Sequence, residues 1–174
     1  DIAIFAYGHT VDWAQKVADK FEKEGVSVAV INARFAKPVD KELIVRYALK
    51  ARCLVTTEEH SLKGGFGSAI LEALQEEQMV HVPVKCIGLG DIVLEHGAPG
   101  LQRQHLKLDP DGMFETIMIF YGAVAEMLAS GNGKTGKTCV VSNGKGPYSS
   151  NGKQPLDYQN GNKEKTKEKE PLNG

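Results

Sequence analysis

Apolar residues in this chain come either in short unbroken runs or at every third or fourth position, and the two patterns alternate. The runs IAIFAY (2–7), VSVAVI (26–31), CLVTT (53–57) and VKCIGL (84–89) have the length and composition of strands buried on both faces, as in a parallel sheet. Between them the period becomes helical. Thr10 stands as N-cap of a helix with Val11, Ala14, Val17, Ala18 and Phe21 on one stripe, and Gly25 occupies the place of a C-terminal glycine. Asp40 caps a second helix presenting Leu43, Ile44, Tyr47 and Ala48, and a third turns Ala69, Ile70, Ala73 and Leu74 inward. The last begins at Asp109 and Pro110 and keeps Phe114, Ile117, Met118, Tyr121, Val124, Ala125 and Leu128 on one side until Gly131. This order predicts an α/β fold: an open, mostly parallel sheet with flanking helices.

Composition changes at Ser130. Residues 131–174 are rich in Gly, Asn, Lys and Ser and end in a KEKTKEKE run, so they bury too little apolar surface to offset the entropy of ordering. The expected organisation is therefore an α/β domain over 1–130 and a disordered Gly/Asn/Lys-rich tail over 131–174. The tail contains GNGKTGKT (131–138), a letter-for-letter match to the phosphate-binding pattern G-x-x-x-x-G-K-[ST]. That loop requires a strand before it and a helix after it. Here a helix precedes it and the following CVVSNGKGPYSSNG has no helical period, so the match reads as coincidence.

The formal charge of -1 argues against a basic nucleic-acid binder, and no unbroken apolar run approaches the roughly 18 residues of a membrane span, so a soluble protein is expected. Cys53, Cys86 and Cys139 lack C-x-x-C spacing and read as reduced thiols, not metal ligands. The first residues form a strand-like run with no initiator Met and no charged leader, which reads as part of a longer polypeptide.

In open parallel sheets ligands lie beyond the carboxyl ends of the strands, which directs attention to YGHT, NARFAKPVD, TTEEHSLKGGFGS and GLGDIVLEHG. His9 and Thr10 open a helix. Glu58, Glu59 and His60 are candidate acid/base groups, with surface or domain-contact carboxylates the simpler reading. KGGFGS lets the backbone approach another surface closely but is not G-x-G-x-x-G.

In order and spacing, VSVAVINARFAKPVDKELI, LVTTEEHSLKGGFGSAILEAL and LEHG resemble the C-terminal domain of the 1-deoxy-D-xylulose-5-phosphate synthases, transketolase-type enzymes that use thiamine diphosphate. The resemblance covers residues 2–129. Its general strand and helix order is shared with transketolase and with the E1 β subunit of 2-oxo acid dehydrogenases, and a free-standing non-catalytic binding module is the further alternative. The resemblance implies a parent enzyme that condenses pyruvate with glyceraldehyde 3-phosphate for isoprenoid precursors, in bacterial cytosol or plastid stroma, using thiamine diphosphate and Mg2+ held by preceding domains. The family's Pro-Asp stands here as Gly90-Asp91, and Ile92 follows, so the G-D-G diphosphate signature is absent. No catalytic, cofactor-binding or metal-binding residue carries over, and the fragment alone is expected to be inactive. The implied partners are the preceding catalytic domains and a second subunit in a homodimer, with no nucleic acid and no membrane. The candidates for those contacts are His9, Arg34, Lys37, Glu59 and His96, with Arg34 foremost because a guanidinium bridges carboxylates or carbonyls with fixed geometry.

Overall fold

The computed structural model describes residues 1–130; the tail and the GNGKTGKT stretch lie outside the described residues. Four strands, β1 (Ile2–Ala6), β2 (Val28–Asn32), β3 (Cys53–Ser61) and β4 (Val84–Leu89), form one parallel sheet in the order β2-β1-β3-β4. Five helices connect and follow them: α1 (Thr10–Lys23), α2 (Lys41–Ala48), α3 (Phe66–Glu76), α4 (Pro99–His105) and α5 (Pro110–Ala129).

Strand alternation assigns each residue to one of two cores. Ile2, Ile4, Ala6, Cys53 and Val55 face α1 and α5, where they meet Val17, Phe21, Met113 and Ile117. Ala3, Phe5 and Leu54 face α2 and α3, where they meet Ile44, Ile70 and Leu74. β1 is buried at every position because helices cover both faces and strands flank both edges. β2, also expected to be wholly buried, keeps only Ile31 so, since it is an edge strand.

Several helix signals act as read. The Asp40 carboxylate accepts from Leu43 N at 2.9 Å, Asp109 accepts from Gly112 N at 3.2 Å, and Gly25 takes the left-handed φ of 73° just past α1. Thr10 differs: it lies inside α1, and its hydroxyl is spent on the sheet. Thr10 Oγ1 sits 2.9 Å from Thr57 O and 3.0 Å from Tyr7 O, and it accepts from Thr57 Oγ1 at 2.8 Å. It ties the start of α1 to the ends of β1 and β3. Leu128 also departs from its expected place, because the last turn of α5 runs past the core and leaves it exposed.

One expectation about apolar length needs correction. The stretch Pro99–Ala129 contains an 18-residue window of mean hydropathy 1.3, which by length and composition alone suffices to cross a membrane. Unbroken letters understate it, because Asp111, Glu115 and Glu126 interrupt a mostly apolar α5. On one side α5 packs Met113, Ile117 and Val124 into the core against α1; Ile119 on the other side is exposed.

Candidate functional site

The order β2-β1-β3-β4 makes the chain turn opposite ways from β1 and β3, so the crevice beyond their carboxyl ends is where an open α/β sheet would hold a ligand. Here the protein's own side chains occupy the helix start that borders it. Period-two alternation carries the α3-facing set Leu54, Thr56 on to Glu58, and places Glu58 beneath the start of α3. Glu58 is 1% exposed, and its two carboxylate oxygens accept from Phe66 N and Gly67 N at 2.7 Å each. The N-terminus of α3, with its free N–H groups and partial positive charge, is thus satisfied from within.

Two glycines of KGGFGS, Gly65 and Gly67, permit this fit. A Cβ on Gly65 would lie 2.2 Å from Ser61 O and 2.4 Å from Glu58 Oε2, and one on Gly67 would lie 2.7 Å from Thr56 Oγ1. From β4, a Cβ on Gly88 would come within 2.9 Å of Glu58 Cγ. The register supplies the room: β3 advances from Thr57 to Ser61 while β4 advances only from Ile87 to Leu89, a bulge that carries Glu58, Glu59 and His60. The bulge belongs to a strand where a loop was expected, and Glu58 is a buried helix anchor where a surface carboxylate was expected. Above it Tyr7 stacks on Phe66, with ring centroids 5.3 Å apart and planes 19° apart, and His60 approaches Tyr7 at 6.1 Å.

The neighbouring bulge residue, Glu59, turns to the α1 side. Its Oε1 accepts from Arg103 Nε at 2.9 Å, and the Arg103 guanidinium lies 5.2 Å from the Trp13 ring centre. Arg103 thereby fastens α4, a helix with no buried residue and no apolar stripe to announce it in the sequence.

The sequence-derived candidates fall on this end of the sheet but are not gathered into one site. His9 follows β1 and is exposed. Arg34 and Lys37 lie in the exposed connection after β2, with Arg34 at a left-handed φ of 57° and its N–H donated to Asn32 Oδ1 at 3.1 Å. Glu59 is committed to Arg103, and His96 is exposed in the connection after β4. Lys37 lines an open cleft of about 840 Å³ between the connection before α2 and the flank of α3, to which Tyr7, Glu58, His60, Lys63 and Phe66 also contribute. Lys41 is paired there with Glu76, whose hydrogen bond and charge raise its pKa, and Lys63 with Asp91. Among the described residues no group of three or more His, Cys, Asp or Glu is placed to hold a metal ion.

A family model described as transketolase, C-terminal domain, matches residues 1–113. The 1-deoxy-D-xylulose-5-phosphate synthase of Thermosynechococcus vestitus is 49% identical over 122 residues, covering 70% of this chain and 19% of that protein. The synthase of Heliobacterium modesticaldum is 49% identical over 108 residues, covering 62% of this chain and 16% of that protein. The chain thus spans less than a fifth of the length of these curated relatives. Among solved structures, a chain described as a split gene transketolase in an inactive beta4 tetramer matches 74% of this chain and 39% of its own length, at a TM-score of 0.62 and 32% identity.

Proposed function

The chain belongs to the transketolase C-terminal domain family, and on that premise we propose that it is the C-terminal structural domain of a thiamine-diphosphate-dependent 1-deoxy-D-xylulose-5-phosphate synthase. In this reading the longer polypeptide joins pyruvate to glyceraldehyde 3-phosphate, in bacterial cytosol or plastid stroma. The preceding domains hold thiamine diphosphate and Mg2+, and this domain packs against them and supports a homodimer.

The observation that carries the reading is the Glu58 carboxylate seated on the α3 N-terminus. A diphosphate at that helix end would find its free N–H groups already taken by the Glu58 side chain. The residues present do not fit the cofactor, so no step of the reaction is assigned to them. What the carboxyl end of the sheet offers a neighbour is surface: His9, Arg34, Lys37 and His96 are the proposed contact residues, and Glu59 contributes by holding α4 through Arg103.

The test is an exchange. The Thermosynechococcus vestitus synthase, with its matching segment replaced by residues 1–130 of this chain, is expected to retain turnover of pyruvate and glyceraldehyde 3-phosphate, while the chain alone has none. An exchanged enzyme without activity, or a chain active alone, would refute the assignment.

A further inference from the structure

The connection between β2 and α2 bounds a second cavity, of about 350 Å³, together with the starts of α2 and α3. Its floor is Phe5, Ile44, Phe66 and Ile70, none more than 2% exposed, and the half-buried Val39 and Leu43 line its sides. Asn32, Arg34 and Phe35 also line it but are exposed, so they form its mouth. A mostly apolar hollow of this volume with a few polar groups at one end has the build of a small-molecule pocket.

The mouth carries donors that the fold leaves unspent. Arg34 sits at a left-handed φ of 57°, in a turn held by Arg34 N donating to Asn32 Oδ1 at 3.1 Å and by Phe35 N donating to Ala33 O. With Oδ1 engaged as the acceptor, the amide nitrogen of Asn32 is the donor end, and among the described residues it has no acceptor. The Arg34 guanidinium likewise has no acidic partner among them. The acid that lines the cavity, Asp40, is turned to α2: its Oδ1 accepts from Leu43 N at 2.9 Å, and the positive helix end offsets its charge.

We propose that this cavity binds a small monocarboxylate with an apolar body of the size of a phenyl or branched alkyl group. The body displaces water from Phe5, Ile44, Phe66 and Ile70, and the carboxylate takes the fork of Arg34 and the amide of Asn32. Charge selects the occupant. A planar cation beside a neutral donor matches a carboxylate, whereas a phosphate, with about two charges, would meet a single unpaired cation at this mouth. The inference stands apart from the assignment made under Proposed function, because it concerns a cavity of this chain alone and no step of the reaction.

Titration of hydrocinnamate into the nitrogen-15-labelled full chain, followed through amide chemical shifts, tests it. Saturable shifts are expected at residues 32–44 and 66–70, with none along α5. Arg34→Asn removes the guanidinium and supplies a residue that tolerates the left-handed turn, and it should weaken binding about tenfold. Hydrocinnamide, the same body without the charge, should bind the unaltered chain more weakly by a similar factor, about tenfold. Lys37→Gln removes a nearby exposed cation that does not line this cavity and should change the affinity by no more than about twofold. Absence of saturable shifts, or equal affinity for acid and amide, would overturn the proposal. Equal weakening by Lys37→Gln and Arg34→Asn would overturn it too, by reducing the effect to unspecific attraction of anions. Should Arg34→Asn fail to fold, the comparison of acid with amide on the unaltered chain decides alone.

Discussion

Two adjoining segments at the same end of the sheet are held in opposite ways. The start of α3 is fixed by a buried carboxylate, three close-fitting glycines and an aromatic stack. The segment from Gly90 through α4 buries no side chain and is fastened by Arg103 to Glu59 and Trp13. Both depend on the β3 bulge, which points Glu58 one way and Glu59 the other. The lesson is a division of labour: a rigid seat fixes the backbone at the strand ends, and a lightly held apolar segment beside it remains available to a neighbour.

The largest expected effect strikes the seat. Glu58→Ala strands two buried N–H groups and leaves a cavity, at a cost of about 4 kcal/mol in chemical denaturation. Gly65→Ala forces a methyl group into Ser61 O and the Glu58 carboxylate and is expected to cost about 3 kcal/mol. Because both act on one contact, the double variant should destabilise by less than the sum, by about 1 kcal/mol; strict additivity would mean that Glu58 does not hold the loop.

At the opposite end of β3, burial pushes the Cys53 thiol up to about 11. The folded state therefore resists forming the thiolate, so this contribution is full below pH 9 and is lost as pH rises from 9 to 11. Denaturation of Cys53→Ala across that window should lack the decline seen in the parent chain. The smallest effect falls on the strap. Arg103→Ala removes one half-exposed ion pair and one cation–π contact, about 1 kcal/mol in all. Its signature is local: amide hydrogen exchange should accelerate in α4 and leave Phe66 and Gly67 protected. Equal acceleration at both places would erase the contrast between seat and strap.

The sheet was legible because its strands are continuous apolar runs, and the helix starts at Asp40 and Asp109 because a capping carboxylate leaves a local mark. Residues 58–61 were not. EEHS has no apolar alternation, and it becomes strand only by pairing with β4. Glu58 looked like a surface acid because the partner that draws it inside is a pair of backbone N–H groups eight and nine residues away, which side-chain letters do not encode. Thr10 misled for a related reason, since a hydroxyl suited to capping served a strand 47 residues on. α4 gave no sign at all, having no buried stripe. The Gly-Gly-Phe-Gly run was the available clue: glycines that permit close approach imply something to approach, and the nearest group on the facing side of β3 is Glu58.

The central claim is that the start of α3, beside the crevice between β1 and β3, is held by the protein's own Glu58 carboxylate and is not a diphosphate site. Isothermal titration of thiamine diphosphate with Mg2+ into the chain tests it most directly. No saturable binding is expected, whereas a saturating isotherm that weakens in Phe66→Ala or Tyr7→Ala would show that a ligand is held there and that the account is wrong.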